Sequence, residues 1–255
     1  MFFSNEQIGQ LQDEFDTIAE KQLALTDRYL ARHYFANPRA KEYAWHGFVR
    51  RVNILARCVE NIFSILPPDQ VGLPEKSERS DVTINVQAFV FNVFGCTDNL
   101  AWIWVLEKDL RELDGSPIRR GWVGLRKNNT LVRESFSLEL QSYLRELDRW
   151  FEQLEKLRHA LAHRIPLYVP PYTIPKGSEL PYLELQERIA EAANRADWME
   201  YERLENEQSE FFVFYPIAAG SITEPAPTGR FHELVLADFN TVEQLGHKVL
   251  DELSR

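Results

Sequence analysis

The sequence predicts a mainly α protein: a bundle of long helices carrying a small C-terminal elaboration, made of a short antiparallel β ribbon and a closing helix. Three observations predict it. Between residues 5 and 163, long stretches place apolar residues at helical spacing. One of these, residues 86–106, is apolar on every side, as the central helix of a bundle is. Beyond residue 164 the periodicity gives way to prolines and short aromatic runs.

The elements follow in order. A first helix is expected over residues 5–34, with acidic residues near its start that suit a helix N-terminus. A second is expected over 38–66, opened by Pro38 and ended by Pro67 and Pro68. The segment "DQVGLPEKSERS" reads as a mobile charged loop. The central helix is expected over 81–113, followed by a loop, "DGSPIRRGWVGLRKNN". The fourth long helix is expected over 137–163.

"IPLYVPPYTIP" must be extended, because its prolines cannot continue a helix. Residues 180–208 read as another charged helix. "EFFVFYPI" and "FHELVLADF" read as short runs that could pair as the ribbon across "AAGSITEPAPTG", and residues 240–253 close the chain as a helix. No internal repeat or interdomain linker stands out. The expectation is one domain over residues 1–255, with a bundle over 1–164 and the elaboration over 165–255 packed on it.

Composition narrows the function. The formal net charge is −10, which argues against a general coat for duplex DNA or RNA, since such binding runs on phosphate neutralisation. A local basic site remains open. Cys58 and Cys96 sit in apolar helical surroundings with no CxxC pair, so the chain reads as cytoplasmic and without a disulfide framework. The first residues lack the basic and apolar regions of a secretory signal. Residues 86–106 are long enough to span a bilayer, but Gln87, Asn92, Asp98 and Asn99 interrupt them; a buried helix and no membrane are expected.

The fourth helix ends in "EKLRHALAHRIPLYVPPY". At roughly 100° per residue, Leu140, Tyr143, Leu144, Leu147, Trp150, Phe151, Leu154, Leu157 and Leu161 form one apolar stripe with Arg158 at its edge. Asp148, Glu152, Glu155, His159 and His163 fall on a neighbouring side, with the two histidines one turn apart. Cations near a helix C-terminus also favour its dipole, which accounts for Arg158, His163 and Arg164 without any function. A metal reading of HxxxH lacks the glutamate of HExxH, and its third ligand would have to be His33, His46, His232, His247 or a carboxylate. No metal or cofactor is expected. The remaining reading is a phosphodiester site: a histidine moves a proton near neutral pH, an arginine grips a phosphate, and RNA brings its own nucleophile, the 2′-hydroxyl.

"LRHALAHR" resembles the signature of the HEPN superfamily: an arginine, four to six residues, then a histidine, at the end of a helix in an all-α bundle. Arg158 matches the arginine, His159 the polar residue that usually follows it, and His163 the histidine. The resemblance covers residues 5–164. It implies a homodimer that brings two motifs into a shared cleft, and a metal-independent endoribonuclease of a toxin or phage-defence type, with RNA and a protein partner such as an antitoxin as ligands. His163 would then be the general acid/base, Arg158 would hold the scissile phosphate, and His159 would support one of them. Other members of the superfamily are inactive, which implies the alternative of a module that binds a protein partner or a nucleotide. The tyrosine that commonly sits two residues after the histidine in toxins paired with a nucleotidyltransferase is Ile165 here.

Other candidates remain. Arg119, Arg120, Arg126 and Lys127 surround Trp122 in the most basic stretch, which is either an exposed loop with an aromatic anchor or an RNA contact. Asp98 and Asn99 need partners inside the central helix. His46 reads as a core or interface histidine. Tyr168, Pro170, Pro171 and Tyr172 read as packing residues that could also wall a cleft.

Overall fold

The computed structural model describes residues 2–32, 34–221 and 228–255; His33 and half of the expected ribbon connection lie outside them. The first expected helix forms as α1 (Asn5–Asp16) and α2 (Ile18–Ala31). Ser4 and Gln7 cap α1 reciprocally, and Thr17 interrupts the run by turning its hydroxyl onto the Glu14 carbonyl at 2.7 Å. The second forms as α3 (Pro38–Glu42), a π-helical turn (Tyr43–Phe48) and α4 (Val49–Ile65). Asn37 caps α3 and Pro38 opens it.

The central helix, α5 (Lys76–Glu107), begins before the expected Asp81. Glu75 and Glu78 close a capping box there, so the charges taken for a mobile loop form the solvated first turns of the helix. It stops short of Leu113 because Asp109 turns into the left-handed region, at φ 48°. Its apolar stretch is the one described segment long and apolar enough to cross a membrane, and most of that stretch is buried inside the bundle.

A short helix, α6 (Thr130–Glu134), precedes α7 (Leu138–Glu146) and α8 (Asp148–His163), which together make up the fourth expected helix with a break at Leu147. The segment after α8 is extended and lies along α5: Gln87 Nε2 donates to the Leu167 carbonyl at 2.6 Å, and Val169 N donates to Thr83 Oγ1 at 3.0 Å. The expected charged helix is a hairpin, α9 (Glu179–Asn194) and α10 (Trp198–Ser209), turned at Ala196 and packed on its own small cluster of Leu185, Ala192 and Leu204.

The antiparallel ribbon forms with one unexpected partner. β1 (Ile217–Ala218) pairs with β2 (Gly229–Arg230), while "FHELVLADF" opens the closing helix α11 (Phe231–Leu253). Phe231, Val235, Phe239, Val242, Leu245 and Val249 are all buried at helical spacing, and this period decides against a strand.

A single main core runs from Phe3 to Leu253, with α5 at its centre and α4, α8 and α11 against it. α11 enters the core closely. Tyr29 Oη donates to the Gly246 carbonyl at 2.8 Å, and a Cβ on Gly246 would meet Phe48 at 2.7 Å and Leu25 at 3.1 Å. Gly246→Ala should therefore destabilise the fold by about 1–3 kcal/mol, read as a lower urea midpoint.

Asp238, also on α11, is buried and accepts from Trp150 Nε1 at 2.7 Å. Burial pushes its carboxyl up to about 6, with the Trp150 bond opposing. Because the folded state keeps this proton after the unfolded chain has lost it, the contribution is full below the ordinary carboxylate range. It is lost as pH rises through about 6. Asp238→Asn keeps the acceptor and should remove this loss, about 2–3 kcal/mol between pH ~4 and ~6. His232, pushed down to about 4 by burial, gives the opposite slope in both proteins, so the difference between their stability–pH curves isolates Asp238.

Candidate functional site

The site is built where α8 ends against the middle of α5. The apolar stripe of α8 buries Phe151, Leu154 and Leu157, which fixes the rotation of the helix. That rotation leaves Arg158 half-buried at the stripe's edge and puts His159 and His163 in solvent. The two imidazoles are tilted at 60° to each other, with ring centroids 5.1 Å apart. Beyond that contact, neither histidine makes a hydrogen bond or ion pair with a described residue.

Arg158 is positioned from below. Its guanidinium lies over the Phe94 ring of α5, 5.3 Å from the centroid. Arg126 reaches the same ring at 5.9 Å. One turn further along α5 is Asp98, half-buried and without a hydrogen bond or ion pair to any described residue. Burial raises its carboxyl above the ordinary carboxylate range, while the charges of Arg126, Arg158 and Arg51 pull it back. Phe94, Asp98 and the guanidinium of Arg126 thus stand around the base of Arg158, with Arg51 within electrostatic reach of Asp98.

Arg51 holds the floor of this cluster. Its Nε donates to Asn99 Oδ1 at 3.1 Å and its terminal nitrogen to Asn92 Oδ1 at 2.9 Å. The two asparagines that interrupt the apolar helix therefore satisfy an arginine from α4, as buried polar groups must be satisfied. Gly95 makes room for it: a Cβ there would stand 2.4 Å from the guanidinium carbon.

The basic loop divides. Buried Asn129 pins it, accepting from Arg126 N at 3.2 Å and donating to the Trp122 carbonyl at 3.0 Å. Arg126 joins the Arg158 cluster but ion-pairs with Glu155 of α8. Trp122 and Lys127 line a groove of about 300 Å³ whose other wall is Asp148, Glu152 and Glu155. Arg119 lines a second groove, of about 530 Å³, beside Glu112 and Asp114. Arg120 is exposed in a 3₁₀ turn, Arg120–Trp122.

The proline and tyrosine segment packs. Tyr172 stacks on Phe212 at 3.7 Å, and Tyr168 bridges to Ala219 through backbone bonds. Among the described residues, no three His, Cys, Asp or Glu side chains gather as a metal site. His232 is buried against the Leu66 carbonyl, and His247 is held by Arg28 and Glu243. His46 is exposed and not in the core.

Sequence reasoning singled out Arg158, Asp98 and Asn99 but missed Phe94, Arg51 and Asn92. A signal for Arg51 was present: it stands at helical spacing from the apolar Phe48 and Leu55, so its charge had to meet a buried acceptor. No family model, no curated protein and no solved structure matches the chain. Arg51→Met keeps the aliphatic stem and strands both asparagines. It should cost about 1–3 kcal/mol of stability, measured in urea with an unchanged slope.

Proposed function

We propose that the chain is an HEPN-type protein that cleaves RNA without a metal, at a cleft shared by two copies and built on the end of α8. One observation carries this reading. Arg158 is propped over Phe94 without an ion pair to a described carboxylate, and His159 and His163 are exposed and unpaired among the described residues. A purely structural role for these side chains would pair them and close them off.

In this reading Arg158 binds the scissile phosphate and stabilises the charge that develops on it. Its stacking on Phe94 limits its freedom before the ligand arrives. His163 takes the proton of the 2′-hydroxyl. The 2′-oxygen then bonds to phosphorus, the bond to the 5′-oxygen breaks, and that oxygen leaves with a proton taken from water. The products are a 2′,3′-cyclic phosphate and a 5′-hydroxyl. His159, one turn before His163, supports it by ring contact.

A second reading is favoured by the groove next to this site. Asp148, Glu152 and Glu155 wall it, and Glu155 already holds Arg126, so it repels phosphate and suits a basic protein segment. On that reading the chain is a non-catalytic module binding a protein partner.

Incubating the protein with mixed structured and unstructured RNA in EDTA separates the two. Cleavage to cyclic-phosphate ends, reduced about 100-fold or more in both Arg158→Ala and His163→Ala, is the expected result. Absence of cleavage at high enzyme concentration, with the dimer confirmed in solution, would reject the nuclease in favour of the binding module.

A further inference from the structure

A third groove reaches Asn99, the neighbour of Asp98 on α5. It encloses about 360 Å³ over the π-helical turn, lined by Arg39, Glu42, Tyr43, His46, Arg50 and Asn99. We propose that this groove binds the phosphate group of a nucleotide.

The lining is cationic. Arg39, His46 and Arg50 fall on one side of the helical run, at spacings that put their side chains together. None of the three side chains makes a hydrogen bond or ion pair with a described residue. Glu42 lines the same groove and pairs with none of them. In a chain of formal net charge −10, two neighbouring arginines and a histidine with no ion-paired carboxylate among the described residues make a poor resting surface. They make a good receiver for a dianion, because paired guanidiniums grip phosphate oxygens in two-pronged fashion.

Asn99 gives an independent pointer. It is only 8% exposed, and its Oδ1 is committed to Arg51 Nε, which can only donate. The amide orientation is thereby fixed, and its nitrogen is left as a donor open to solvent with no described acceptor. Gly47 leaves room beside it: a Cβ at this position would stand 3.0 Å from the Asn99 side chain.

The remaining lining suits the rest of a nucleotide. Tyr43 is held flat by stacking on Trp102, with ring centroids 5.7 Å apart and planes 14° apart, and offers an aromatic surface to a base. Glu42 can accept from a ribose hydroxyl or a base amine. The volume fits a mononucleotide-sized ligand and not a duplex. These residues come from α3, the π-helical turn, α4 and α5, so the site stands whether or not α8 cleaves RNA.

Titration calorimetry on the whole chain tests it, with nucleoside 5′-monophosphates, inorganic phosphate and a dinucleotide of RNA as probes. Saturable binding is expected, tighter for the nucleotide than for inorganic phosphate. Arg39→Met and Arg50→Met should each weaken it about tenfold or more. Both side chains are exposed and unpaired, so the fold should be unaffected, as circular dichroism would verify. Arg57→Met, on the same helix as Arg50 but paired with Glu60, should bind like the wild type. Binding of the monophosphate identifies a free nucleotide as the source; binding of the dinucleotide alone identifies an RNA phosphodiester. No saturable binding of any probe, or binding unchanged in both groove variants, overturns the proposal.

Discussion

The burial of α5 on all sides is the constraint from which the rest of the molecule follows. Where the helix is buried, an unpaired donor or acceptor costs more than a made bond returns. Several polar side chains on α5 therefore recruit a neighbour. Gln87 and Thr83 hold the extended segment after α8, Asn92 and Asn99 hold Arg51 of α4, and Trp104 Nε1 donates to Ser135 Oγ at 2.8 Å. At its end the Glu107 carboxylate takes the backbone N–H groups of Ala36 and Asn37, fixing the entry to α3. Apolar surface draws the bundle together without direction; these bonds set where each neighbour stops.

Both candidate sites are by-products of that arrangement. Arg51 sits between them, fixing Asn99 beneath the π-helical turn and adding its charge near Asp98 beneath Arg158. On the α8 side the environment is mixed: Phe94 and Asp98 prepare Arg158, while Glu155 draws Arg126 away from solvent. On the α3 side Glu42 lines the groove but ion-pairs with neither Arg39 nor Arg50. The difference lies in which carboxylates are within reach, and not in the net charge of the protein, which is acidic throughout.

Much of the fold was legible in the sequence because its signals are long. The all-round apolarity of α5, the stripe on α8 and the prolines after residue 165 each extend over many residues, and the structure keeps all three. Short signals misled. "FHELVLADF" reads as a strand by composition, yet its buried residues recur at about 3.6. "EKSERS" reads as a loop by charge, yet charges are what a solvated first turn carries. On the site, Arg158 and the exposed histidines could be placed from the helical period alone. The Glu155 partner of Arg126 and the Arg51 bonds to Asn92 and Asn99 could not, because they join residues distant in sequence, and no local pattern encodes which distant carboxylate or amide a side chain will meet.

The close seating of α11 bears on how the protein is made. Tyr29 and Gly246 are joined across nearly the whole chain, and Phe3 lies against His232 at a ring distance of 5.9 Å. Until α11 has been synthesised, the apolar faces of α2, α4 and α5 that receive it stand open to water. A nascent bundle with an uncovered groove along its central helix is a substrate for chaperones and a source of mispairing between copies. Docking of α11 onto α2 joins residues 217 apart in sequence, and contacts of such separation form more slowly than any local helix.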